Sequence, residues 1–277
     1  MTVAFARQDD IDAALRTIPQ RTFRLLLRGE PVWIKRPRLR PGYIKYGLQT
    51  TTASMLGVPL LYPPRVCRGA AGLQAEARRL ARLARKGWPV PSVLDVSERW
   101  LALRDNGRSV AQVLRELPPA KRTDMLRSAL QFLQALHAED GWHGAGQVRN
   151  FTRVGQGFGL IDFEDDLEPS MPLARRQARD ILLFVMSAAR FSNGEPTVIE
   201  ALLADAHGRA SPQVDAELRS LAPKLVWLRR LMGPLAPWTG PEGGAIAALG
   251  EAYRYLPPAQ GPDNAAQIPS ASAGTGG

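Results

Sequence analysis

The sequence predicts an α+β fold of two lobes, a small strand-rich one followed by a mainly helical one. Three observations carry this. Between residues 21 and 104, short runs rich in β-branched and aromatic residues alternate with Gly, Pro and Asn turn signals, around a single helical stretch. From about residue 109, apolar residues recur three and four positions apart over long segments. A chain of 277 residues, 45% hydrophobic and 22% charged, is long enough to bury a core of that size. The expected organisation is a first lobe over 1–107, a helical lobe over 108–256 and a disordered tail over 257–277, where the composition turns to Pro, Gly, Ser and Ala.

The elements follow in order. "RTFRLLLRGEPVWIKR" (21–36) reads as two strands joined at Arg28-Gly29-Glu30, a hairpin about a Gly turn. "GLQAEARRLARLARKG" (72–87) reads as a helix with Leu73, Ala77, Leu80 and Ala84 on one face and Lys86-Gly87 as its stop. "WPVPS" excludes helix, and "SVLDVS" and "RWLALR" form a second pair of strands that ends at Asp105-Asn106-Gly107. Helices are expected at "SVAQVLREL" and at "TDMLRSALQFLQALH", where Leu126, Leu130, Leu133 and His137 share a face. A β-hairpin interrupts them over 148–163. Helical patterning resumes at "ARRQARDILLFVMSAARF", over 197–207, and from 212 to about 232, the last opening on the cap pair Ser211-Pro212. No internal repeat is present.

Composition narrows the function. The single Cys67 rules out an internal disulfide framework, and with only His137, His143 and His207 beside it there is no Cys/His set for a structural zinc. No apolar run of membrane-spanning length occurs, and "MTVAFARQDDIDAAL" carries acids where a signal peptide needs an apolar core. The expected location is therefore cytoplasmic, with peripheral contact at the inner membrane as an option. The formal charge of +10 points to an anionic partner: a nucleotide, a lipid surface or nucleic acid. Nucleic acid is the weakest of these, because the arginines do not form one block. The densest basic run, "IKRPRLRPGYIKYG" (34–47), reads either as a tracker of phosphates or of an anionic membrane face, or as a solvated basic loop. Oligomeric state is not legible.

Candidate chemistry lies in a few short motifs. Asp162, in "LIDFEDD", directly follows an apolar strand, where a carboxylate is costly to bury without a metal or phosphate partner. Asp180 sits among Ile181, Leu182 and Leu183 and needs a donor for the same reason. Lys35 closes the strand "PVWIK", Glu76 lies in "LQAEARRL", and "WHGAGQVRN" holds His143, Ala145, Arg149 and Asn150. In this order and spacing, over roughly residues 20–200, the motifs resemble the protein-kinase-like superfamily. The resemblance is nearest to its small bacterial branch of lipopolysaccharide-core and Kdo kinases and Rio-type enzymes.

The resemblance implies ATP and Mg²⁺ as cofactors and assigns roles. Lys35 would hold the α- and β-phosphates and Glu76 would pair with it. Asn150 and Asp162 would bind the metal, His143 would brace the catalytic loop, and Asp180 would cap that loop from behind. "LALRDNGRSV" would be the linker that receives the adenine. Arg149, beside Asn150, would add a positive group for phosphate or serve as a surface ion-pair partner.

Two departures matter. No G-x-G-x-x-G precedes Lys35, so "TIPQRT" (17–22) is the segment left to cover the phosphates. Ala145 stands where the family pattern H-x-D-x-x-x-x-N has its proton-accepting aspartate, and Asp140, Glu164, Asp165 and Asp166 are the nearby acids. The expected activity is thus either an impaired or unorthodox phosphotransfer to an envelope sugar-lipid or a protein hydroxyl, or nucleotide or partner binding without turnover.

Overall fold

Residue alternation along two hairpins organises the first half of the molecule. The computed structural model describes residues 8–38, 65–66, 69–166, 171–192, 195–232 and 249–253. Strands β1 (Thr22–Leu27) and β2 (Glu30–Lys35) pair antiparallel from Thr22↔Lys35 to Leu27↔Glu30. Their two-residue turn, Arg28 at φ 55° and Gly29 at φ 83°, has the doubly left-handed backbone that matches strand twist. A two-residue strand β3 (Arg65–Val66) and helix α2 (Gly69–Arg85) follow; the helix that precedes β1 is α1 (Gln8–Thr17). Strands β4 (Val93–Val96) and β5 (Leu101–Arg104) complete an antiparallel sheet of order β1-β2-β5-β4.

Side chains on successive residues point to opposite faces, and each face of the sheet has its own cover. Phe23, Leu27, Val32, Ile34 and Ala102 pack with Ile11 and Ala14 of α1, which seals the outer face. Leu101 and Leu103 face the other way, into a large core shared with α2 and the helices that follow. Lys35 pairs in register with Leu101 and lies on this inner side.

The helix α1 was not expected from the sequence, although Ile11, Ala14 and Leu15 have helical spacing. Thr17 ends α1 and Thr22 begins β1, so 17–22, the segment left to cover the phosphates, is a short connector between them. The stripe on α2 also differs at its end. Leu83 is buried and Ala84 exposed, and Glu76 lies inside the buried stripe with Leu73, Ala77 and Leu80.

The remainder is mostly helical. Helices α3 (Val110–Glu116) and α4 (Pro119–Ala138) lead to a 3₁₀ turn at Val148–Asn150. The inserted hairpin is β6 (Phe151–Val154) and β7 (Gly157–Leu160), followed by a two-residue strand β8 (Asp165–Asp166) that pairs with β3. Then come α5 (Leu173–Ala188), α6 (Pro196–Arg209), α7 (Pro212–Arg219) and α8 (Ala222–Met232). The single helix expected from 212 to about 232 is in fact two. It breaks at Ser220–Leu221, where Leu221 turns into the core.

Helix α5 is the hub of this half, packing against α4, α6 and α7, with Ala178, Ile181, Phe184, Val185 and Ala188 all buried. The architecture is α+β, a small antiparallel sheet of four strands and a mostly helical remainder. Among the described residues, no helix is long and apolar enough to cross a membrane. The tail over 257–277 and the basic run beyond residue 38 lie outside the described residues.

Candidate functional site

Three charged side chains, distant in sequence, meet between the two halves. Lys35 at the end of β2 donates to both carboxylate oxygens of Glu76 on α2, at 2.7 and 2.9 Å, and to Oδ1 of Asp162, at 2.8 Å. Asp162 is the member that opens to solvent: its side chain is 35% exposed, against 7% for Lys35 and 1% for Glu76.

Burial alone would lower the pKa of Lys35. The charges of Glu76 and Asp162 outweigh it and hold the ammonium above its ordinary value. Burial pushes the Glu76 carboxyl up while Lys35 pulls it back, and at Asp162 Lys35 wins over burial and holds it below its ordinary value. A buried cation between two carboxylates is a costly arrangement that survives only because each group has a partner.

The loop from His143 to Asn150 is held from behind. Asp180, fully buried on α5, accepts from the backbone N–H of His143 and of Gly144, the latter at 2.7 Å, and faces His137 Nε2 at 3.4 Å. Burial would raise this carboxyl, but its bond to His137 and the loop N–H groups hold it down. Gly146 crosses Asp180 so closely that a Cβ there would stand 2.7 Å from the Asp180 carbonyl oxygen.

The His143 ring is anchored at both nitrogens: Nδ1 accepts from the Ala145 N–H at 3.2 Å, and Nε2 donates to the Ile161 carbonyl at 2.9 Å. Full burial lowers its pKa to about 4, so it is neutral, in keeping with that bonding. The ring thus ties the Ala145 N–H to the Ile161 carbonyl across the loop.

Asn150 Nδ2 donates to the Ala145 carbonyl at 2.8 Å, and the Asn150 carbonyl accepts from Ile161 N–H at 2.9 Å. Ile161 is thus gripped on both sides, and at the next residue the chain turns through φ 70°. A left-handed aspartate costs on the order of 1 kcal/mol and is held only by such surrounding bonds.

The two halves are also pinned by residues the sequence did not single out. Arg79, three positions after Glu76 on α2, donates to the Trp142 carbonyl at 2.7 Å and stacks on the Trp142 ring at 3.6 Å and on Phe163 at 4.9 Å. Phe163 in turn stacks on His143 at 4.4 Å. The signal available for Arg79 was its i+3 relation to Glu76, which places both near one helix face.

Arg21, just before β1, is the second such residue. It and Arg38 both bind Glu164, Arg38 at 3.3 Å. Glu164 is therefore engaged by two arginines, and Asp140 sits in an exposed turn at φ 56°. Arg149 is exposed, and its guanidinium has no partner among the described residues; only its carbonyl is engaged, by Ser109 Oγ at 3.0 Å. In the linker, the Asp105 N–H is taken by the Pro31 carbonyl and the Gly107 N–H by Asp105's own carboxylate.

The donors present suit a hard cation. Asp162 Oδ2 and Asn150 Oδ1 accept no hydrogen bond among the described residues. Two such oxygens, completed by phosphate and water, match how Mg²⁺ is commonly held. Among the described residues no group of three or more His, Cys, Asp or Glu forms a cage of its own, so a metal here would be shared with a phosphate ligand.

No family model matches the sequence, and no curated protein matches it. Among solved structures, one neighbour is the bifunctional kinase-methyltransferase WbdD, at a TM-score of 0.32 and 18% identity. The match covers 83% of this chain and 41% of that one, so this chain spans less than half of its length. At that score the likeness assigns no activity.

Proposed function

We propose that this protein is a kinase-like, ATP-binding phosphotransferase whose chemical step is weakened by the residue at position 145. The supporting observation is the convergence of Lys35 on both Glu76 and Asp162 at 2.7–2.9 Å, across 41 and 127 residues of chain. A charged lysine whose position is set by a buried glutamate is what α- and β-phosphate oxygens need, because the donor is ordered before the ligand arrives. Asn150 and Asp162 would hold Mg²⁺, which supplies charge neutralisation on the phosphates. His143 and Asp180 keep the loop in place, and the residues 1–107 and 108–256 would act as the two lobes around the cleft.

At Ala145 a methyl group cannot accept or orient a hydroxyl proton, a loss of about 10²–10⁴ in rate. Positioning and charge neutralisation remain, and these carry much of phosphoryl transfer. The basic run at 34–47 suggests an acceptor at an anionic inner-membrane face, an envelope sugar-lipid or a protein hydroxyl. The test is transfer of labelled γ-phosphate to envelope extracts with Mg²⁺, wild type against Asp162→Ala. Signal from the wild type alone supports the reading; equal signal from both sinks it.

A second reading has its own observation. Glu164 is held by Arg21 and Arg38, so this acid does not stand ready to replace the missing one. A pseudokinase that binds nucleotide or a partner without turnover would be stabilised against heat by ATP and Mg²⁺ and would transfer no label.

A further inference from the structure

We propose a second anion site, for a phosphate monoester, on the outer side of the sheet at the C-terminal end of α1. A pocket of about 540 Å³ lies there, lined by Arg21, Arg36, Arg38 and Arg99, one acid, Glu98, and apolar walls that include Leu15. Strand pairing continues one residue past β2, since Arg36 N–H donates to the Arg21 carbonyl at 2.8 Å. Alternation therefore sends Arg36 to the face opposite Lys35. The pocket is nonetheless not walled off from the Lys35 side, because Arg21 and Arg38 in its lining bind Glu164, two residues from Asp162, so binding by a Lys35→Met variant is what tells the two sites apart.

The guanidinium of Arg36 carries the inference. Arg21 and Arg38 reach Glu164, and Arg99 pairs with Asp12 at 2.7 Å. Arg36 is half-buried, yet among the described residues it meets no carboxylate. It donates instead to the carbonyls of Leu15, at 2.7 Å, and Ile18, and its Nε has no partner. The carbonyl end of a helix offers about half a negative charge, which leaves a positive remainder facing a cavity. Held by two carbonyls, Arg36 is ordered in advance, which lowers the entropy lost on binding.

A phosphate dianion meets several guanidinium groups with charge-assisted bonds. Glu98 would accept hydroxyl groups of the body that carries the phosphate, and the apolar wall fits its carbon side. The same chemistry comes from a soluble phosphorylated polyol or from a lipid headgroup.

The experiment titrates the full chain with glycerol 3-phosphate by calorimetry. It also sediments the chain with phosphatidylcholine vesicles, with and without phosphatidic acid. The expected result is saturable binding of at least one probe, weakened at least about tenfold by Arg36→Gln and by Arg99→Gln and unchanged by Lys35→Met. Sedimentation only with phosphatidic acid assigns the lipid source; binding in solution alone assigns the soluble one. The proposal is overturned if neither probe binds saturably, if both arginine variants bind as the wild type does, or if folded Lys35→Met loses binding equally. Circular dichroism checks each variant, and Arg99→Gln decides if Arg36→Gln loses α1.

Discussion

The Lys35 cluster and the His143–Asn150 loop meet at Asp162, and they differ in what they retain. On the strand side every charged group has its partner within 2.9 Å. On the loop side the supports are all present, with His143 and Asp180 fully buried and Asn150 nearly so, but the residue they frame is an alanine. The difference follows from energetics. Removing a support orphans buried polar groups, at about 1–3 kcal/mol for each one left unsatisfied. Ala145 is partly exposed and its side chain joins no core, so its identity bears little on folding. A loop of this kind keeps its scaffold under stability constraints alone, whether or not it turns over substrate.

Placing the acid that the proposed function calls for at 145 tests this contrast most strongly. Ala145→Asp is expected to raise the phosphotransfer rate by about 10²–10⁴ in single-turnover measurements while leaving the unfolding midpoint nearly unchanged. An unchanged rate in a folded variant would mean that the loop is not aligned for chemistry, and would favour the non-catalytic reading.

Asp180→Ala is the converse change, touching scaffold and not chemistry. It strips the acceptor from two backbone N–H groups and from His137, and should cost about 3–5 kcal/mol in urea unfolding. A loss below about 1 kcal/mol would show that water replaces the carboxylate readily.

The brace also sets a pH dependence. The folded pKa of His143, about 4, lies below its ordinary value near 6.5, so over that interval the unfolded chain binds a proton that the folded chain refuses. Stability is then complete above pH 6.5 and falls as pH drops toward 4, by about 3 kcal/mol at the low end. His207, also lowered by burial, adds in the same direction. His143→Phe should flatten most of the slope between pH 6.5 and 4.5 in denaturant titrations, and a slope unchanged by it would remove His143 from the account.

The smallest effect is expected at the clasp between the two regions. Arg79→Met loses the bond to the Trp142 carbonyl and the stacking on Trp142, together about 1–2 kcal/mol of stability. On the proposed function, because Arg79 sits one helical turn from Glu76, the same variant should weaken ATP affinity more than its stability loss explains. Equal affinity for ATP in both proteins would show that α2 is positioned by its apolar stripe alone.

Much of this was readable beforehand. The hairpin at Arg28-Gly29 declared itself through turn chemistry, the inserted hairpin through its Gly-rich turn, and Asp162 and Asp180 through the cost of placing acids among apolar residues. Glu76 was singled out through the resemblance alone, and its place on the face of Leu73 and Leu80 came from the structure. Less legible were α1, whose apolar spacing has meaning only once the sheet has an outer face to cover, and the break at Ser220–Leu221, which leaves helical periodicity almost undisturbed. Arg21 was invisible as a site residue and Arg79 offered only its i+3 relation to Glu76, because a surface arginine and a cross-lobe arginine look alike in one dimension.

The sequence by itself determined the α+β class, the two acids, Asp162 and Asp180, that burial would force into partnership, and the alanine at 145. Those rest on local periodicity, turn preference and the price of an unpaired buried charge, all of which act over a few residues or on a residue type. Only the tertiary structure decided that Lys35 binds Glu76 and Asp162 together, that Glu164 belongs to Arg21 and Arg38, and that Arg36 lines a cavity and meets no carboxylate among the described residues. Such pairings depend on where distant segments land when two faces of one sheet are covered, and no local rule carries that information.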